Sequence, residues 1–222
     1  DARQLIDTLR NRYHQKKIFI VGHSWGTYLA SILVTRYPDL FYAYISVGQV
    51  VDDEKEKKIQ REFLWTEAKI NNDTALISRL ENPGFKSYES WLFKYGGELK
   101  HSKNITPLLI TGLLSPEYTF KDALNVAKGP QFCNKHMKYN AIQGSIFDNL
   151  TKYDIPVYFL TGVHDYSTPF SLIKQYCDSI QAPLKELIWF KESAHFPFFE
   201  EPKKFDSILI EHILNSTCIK NQ

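Results

Sequence analysis

An unbroken apolar run, IFIV at 18–21, stops at GHSWG (22–26), and apolar residues then recur at helical spacing through Leu29, Ile32 and Leu33. Continuous rather than alternating apolarity suits a strand covered by helices on both faces, the condition of a parallel sheet. Three further runs, 41–47, 156–161 and 184–190, read as strands of the same kind. Helical spacing in 1–13, with Leu5, Ile6 and Leu9, and in 25–37 alternates with them. Near the C-terminus, Phe205, Ile208, Leu209, His212 and Ile213 form another apolar stripe, with Pro202 placed to open that helix. Strands alternating with helices predict an α/β fold.

One interval breaks the alternation. Residues 49–154 show little that reads as a buried strand, and a structureless loop of that length has no place in a compact domain. Helical patterns fill it instead: Ile59, Phe63 and Leu64, then Ala75, Leu76 and Leu80. Asn82-Pro83-Gly84 and Gly96-Gly97 mark turns, and Ser115-Pro116 reads as an N-cap followed by a first-turn proline. The expected organisation is a core of 1–48 and 155–222, with 49–154 inserted as a helical lid.

Charge narrows the possible partners. The 222 residues carry 27 Lys and Arg against 25 Asp and Glu, so no basic excess points to nucleic acid. The charged stretch 52–58 mixes both signs and reads as a solvated helix face. Cys133, Cys177 and Cys218 lie far apart and are odd in number, which suits a reducing, cytoplasmic setting rather than a disulfide framework. Cys133 and His136 share a helical spacing without a second ligand pair, so no metal is expected. No apolar run approaches the roughly 20 residues of a membrane span, and the first residues lack the apolar centre of a signal peptide. The oligomeric state stays open.

Gly-x-Ser-x-Gly alone is too short to trust, but a strand before it and a helix after it supply the setting the motif needs. The sharp turn lifts the Ser24 hydroxyl above the strand end. Gly22 and Gly26 read as positions where side chains would crowd the turn. The Trp25 N–H, at the helix start, is aimed at an oxyanion, and one such donor is worth roughly 3–4 kcal/mol. A serine hydroxyl is a poor nucleophile until a base takes its proton, and that base needs an acid to orient it. Asp165 follows the run 156–161, and His195 follows the run 184–190. Both sit where open α/β sheets gather their reactive groups, past the carboxyl ends of strands.

GHSWG, GVHDYSTP (162–169) and SAHFPFFEEP (193–202) resemble the three signature segments of α/β-hydrolases. The tryptophan after the serine and the large helical insertion are similar to the proline iminopeptidase branch, serine peptidase family S33. The resemblance spans essentially the whole chain. It implies Ser24 as nucleophile, His195 as general base, Asp165 as its partner, a short-peptide or other small-molecule substrate, and no cofactor. It also implies strands upstream of residue 1, with a loop, often His-Gly-Gly-Pro-Gly, that supplies the second oxyanion N–H. His23 departs from the Gly-Gly-Ser-Trp-Gly common in iminopeptidases and favours a general esterase or amidase. A non-catalytic binding protein of the same fold has no need of all three groups.

Other residues carry weaker signals. His164 is the rival base beside Asp165. Trp65, Trp91, Phe93 and Tyr95 read as lid core or pocket lining. An aminopeptidase needs a lid carboxylate for the substrate's amine, and Glu81, Glu89, Glu98 and Glu117 are all available.

Overall fold

The computed structural model describes residues 1–85, 87–136 and 145–215. Helix α1 (Ala2–Arg12) leads to β1 (Ile18–His23), α2 (Trp25–Arg36), a 3-10 turn at Pro38–Leu40 and β2 (Phe41–Val47). Next come α3 (Asp53–Ile70), α4 (Thr74–Glu81), α5 (Glu89–Lys94), α6 (Thr106–Leu113), α7 (Phe120–His136) and α8 (Ile146–Asn149). No strand interrupts them among the described residues. The chain then returns through β3 (Val157–Gly162), α9 (Phe170–Ser179), β4 (Lys185–Phe190), α10 (Pro197–Glu200) and α11 (Pro202–Ser207). A π-helical run, Ile208–Leu214, continues α11, so the C-terminal apolar stripe sits on one helix opened by Pro202.

The four strands lie side by side in the order β1-β2-β3-β4, every pair parallel. Successive β3 residues serve opposite faces. Val157 and Phe159 join a core with Ile6, Leu33, Val34, Ile173 and Tyr176 from α1, α2 and α9. Tyr158 and Leu160 join Phe205 and Ile213 on the other side. Apolar residues on both faces explain why this strand reads as one continuous apolar run. In β1, which pairs with β2 among the described residues, Val21 is 51% exposed.

The helices between β2 and β3 build a core of their own. Leu64, Ala68, Leu76, Leu80 and Leu92 are buried there, with Trp65, Trp91 and Tyr95 packed against them. Asp52 caps α3 by accepting the Lys55 N–H at 3.0 Å, and Asp73 caps α4 through Leu76 N–H at 3.1 Å. The charged stretch 52–58 is thus a helix start, solvated except for Glu56, which is buried. The expected N-cap at Ser115 is not one. Ser115 opens a turn, its carbonyl accepting from Tyr118 N–H. The helix begins later, at a capping box: Asp122 accepts from Thr119 N–H, and Thr119 Oγ1 accepts from Asp122 N–H.

Candidate active site

At the carboxyl end of β1 the chain turns sharply into α2. Ser24 sits at φ 53°, ψ −125°, a conformation that a non-glycine residue holds only under constraint. Its N–H donates to Val47 O at 3.0 Å, and its carbonyl accepts from Thr27 N–H and Thr27 Oγ1. Gly22 is required here, since a Cβ would lie 2.8 Å from Gly26 O and 2.9 Å from Thr27 Cα. Gly26 shows no such crowding: among the described residues a Cβ there meets nothing within 4 Å. Trp25 is the first residue of α2, and its N–H has no intrahelical acceptor.

Past the end of β3, Asp165 is fully buried, and past β4, His195 is 2% exposed. His195 Nδ1 lies 2.9 Å from Asp165 Oδ2. Thr168, which sequence reasoning missed, fixes the carboxylate: its N–H donates to Oδ1 and its Oγ1 to Oδ2, both at 2.9 Å. The same Oγ1 is 3.2 Å from His195 Nδ1. A carboxylate can only accept, so Nδ1 carries the proton and Nε2 is left for other chemistry. Burial opposes a charge on this ring, but the Asp165 carboxylate outweighs it, Glu98 and Glu56 add to the field, and the pKa is pushed up to about 9. The pocket therefore favours the imidazolium that a base becomes once it has taken a proton.

Gly48, at φ 59°, passes directly under this ring. A Cβ there would stand 2.8 Å from His195 Cε1 and Nδ1. At Gly162 a Cβ would come within 2.2 Å of the carbonyls of Ser193 and Ala194, so a bare backbone lets the histidine loop lie against the end of β3. The signal for both was a glycine just past an apolar run.

His23 links the serine to the base. Its ring is 4.7 Å from that of His195, and its Nε2–H donates to His195 O at 3.0 Å. Burial, with the neighbouring His195, lowers its pKa to about 4, so His23 is neutral. Among the described contacts no hydrogen bond joins the Ser24 hydroxyl to His195; such bonds tighten when substrate arrives. The Asp165 carboxylate is bonded to His195 and Thr168, and not to His164.

Of the four lid carboxylates considered for the amine, Glu81, Glu89 and Glu117 are exposed. Glu98 is 7% exposed, its backbone carbonyl accepts from His195 N–H at 3.0 Å, and its Oε2 has no hydrogen-bond partner among the described residues. Burial pushes its pKa up to about 7, against the pull of His195. Among the described residues no group of three or more His, Cys, Asp or Glu is arranged to hold a metal ion, and Cys133 and Cys177 are free; Cys218 lies outside the described residues. No helix among the described residues is long and apolar enough to cross a membrane.

A strained serine at a strand-to-helix turn and an Asp–His pair past two later strand ends of a parallel sheet define a hydrolase class, and similarity to known proteins agrees. A family model of the alpha/beta hydrolase fold matches residues 1–202; the chain belongs to that family. The probable aminopeptidase YbaC of Bacillus subtilis (strain 168) is 27% identical, the match covering 96% of this chain and 70% of that protein. The proline iminopeptidase of Mycobacterium smegmatis is similar in structure, with TM-score 0.66 and 15% identity over 96% of this chain and 70% of its own. A thermophilic esterase from Thermogutta terrifontis has TM-score 0.55 and 20% identity over 94% of this chain and 69% of its own.

Proposed function

We propose that the protein is a serine hydrolase acting by acyl transfer, of the aminopeptidase type that releases an N-terminal residue, proline above all, from short peptides. Ser24 Oγ attacks the carbonyl while His195 Nε2 takes its proton, and Asp165 holds the imidazole and offsets its charge. The Trp25 N–H receives the oxyanion. The acyl-enzyme then yields to a water activated by His195. The helical segment 49–154 acts as the lid over this reaction.

The observation that carries the reading is the buried Asp165–His195 pair, 2.9 Å apart and pinned by Thr168. Glu98 supports the peptidase form. A buried carboxylate with a free oxygen next to the histidine loop suits a substrate's ammonium group, which would supply the missing partner. The likeness to a probable aminopeptidase supports the same choice. His23, at the position where iminopeptidases often carry glycine, favours the second reading, an esterase or amidase. Two free thiols suit a cytoplasmic setting.

A fluorophosphonate probe should label the full-length protein and fail to label Ser24→Ala; labelling that survives would move the nucleophile elsewhere. Glu98→Gln should raise KM about tenfold for substrates with a free N-terminal amine and leave N-blocked or ester substrates unchanged. Equal effects on both would favour the esterase.

A further inference from the structure

The segment 97–101 enters from the helical insertion, yet its backbone is tied to both loops that carry the Asp–His pair. Gly97 O accepts from Tyr166 N–H at 2.9 Å, one residue past Asp165. Glu98 O accepts from His195 N–H at 3.0 Å. Beyond Glu98 the segment offers N–H donors, and one side chain takes them. Glu200, at the end of α10, accepts from Lys100 N–H at 2.7 Å and His101 N–H at 3.3 Å through Oε1. Its other oxygen, Oε2, accepts from Ala194 N–H at 2.7 Å, the residue before His195. One carboxylate thus bridges the insertion and the histidine loop, with charge-assisted bonds on both sides.

Its neighbour Glu201 makes a useful contrast. Glu201 Oε2 accepts from Glu192 N–H at 2.9 Å and Ser193 Oγ at 2.8 Å, both in the histidine loop itself. It steadies that loop without reaching segment 97–101.

We propose that Glu200 is a positioning residue that sets the His195 loop in register with segment 97–101, so that the base and the Glu98 carboxylate meet the substrate in one fixed relation. The inference rests on the reading of His195 as general base and Glu98 as amine anchor. Removing the bridge leaves the two sides joined by the His195 N–H to Glu98 O bond and by the exposed Lys100–Glu192 ion pair, and takes away the three carboxylate bonds that fix their register. A misplacement of about 1 Å near reacting groups lowers rates by about 100-fold.

The test compares Glu200→Ala, Glu200→Gln and Glu201→Ala in the full-length protein. Turnover is referred to sites titrated by a fluorophosphonate, so unfolded molecules drop out. Glu200→Ala should lower kcat per titrated site about 10-fold to 100-fold and erode the preference for free-amine over N-blocked substrates. Glu201→Ala should keep that preference. If Glu200→Ala yields no titratable sites, the isosteric Glu200→Gln decides, because its amide oxygen still serves one of the two sides; the same two effects are expected, smaller. A kcat per site within twofold of wild type, or an unchanged preference, overturns the proposal. His195→Ala runs alongside: if it abolishes turnover while the Glu200 variants behave as wild type, Glu200 alone is refuted. If turnover survives in His195→Ala, the underlying reading falls and the inference falls with it.

Discussion

The two halves of the candidate site are built on different principles. The serine elbow is a local strand, turn and helix, and its sharp conformation is held by the bonds of Ser24 to Val47 and Thr27. The acid–base half is sealed: Asp165, His195 and Thr168 are at most 3% exposed, and their partners come from His23 of β1, Glu98 of the insertion and both later loops. A nucleophile needs a sharp turn that presents its hydroxyl. A base whose proton affinity has been raised needs a dry, charged pocket, because water would screen the carboxylate that raises it.

The sharpest way to break the contrast is Asp165→Asn, which removes charge and keeps shape. Turnover should fall by about 1,000-fold to 10,000-fold. The pH profile carries the sign. The base works only when neutral, and the field that lifts His195 to about 9 delays neutrality, so kcat/KM should climb with rising pH through that region. Without the carboxylate the acid limb should move down toward the ordinary imidazole value of about 6.5. A limb that stays put would mean that another group sets it.

The next test sets one glycine from each half against the other. Gly48→Ala drives a Cβ into the His195 ring at a backbone φ of 59°, and should lower kcat/KM about 100-fold. Gly26→Ala meets nothing within 4 Å among the described residues and should stay within twofold, with a small gain in stability because alanine suits a helix better. Equal losses in the two variants would erase the distinction between the crowded backbone under His195 and the uncrowded position at Gly26.

The contrast also explains what could be read from sequence. The elbow is local: strand, turn and helix lie within 19 residues of one another, and GHSWG with its flanks already spells them. Asp165 and His195 were legible because each follows an apolar run, a periodicity signal. Their support was not, because it is assembled from afar. Thr168 is a plain loop threonine until the fold brings it to 3.2 Å from a residue 27 positions on. Glu98 looked the same as Glu81, Glu89 and Glu117, since burial is a property of the folded surround and all four sit in polar stretches. Ser115 misled because Ser-Pro is a good cap wherever a helix follows, and here Thr119 and Asp122 close a better box four residues later.

The smallest effect probes how far the acid–base half is overcharged. Glu56 is buried, and its Oε1 accepts from Val51 N–H at 2.6 Å and Asp52 N–H at 3.2 Å. Burial still dominates and pushes its pKa up to about 7. A carboxyl group whose pKa is raised on folding favours the native state while protonated. That contribution is complete below its unfolded value near 4.5 and is lost as pH rises through about 7. Above pH 7 the native protein holds a buried anion. Glu56→Gln keeps an oxygen where Oε1 stands, so both backbone bonds survive while the titration disappears. The shift caps the gain at about 3 kcal/mol, and lost attraction to the His195 imidazolium takes part of it back. Urea unfolding should therefore find Glu56→Gln about 1–2 kcal/mol more stable than wild type at pH 8 and indistinguishable at pH 4.5. A variant that is less stable at pH 8 would show that the anion stabilises the fold through His195, and that the charge gathered around the base is a structural element as much as a catalytic one.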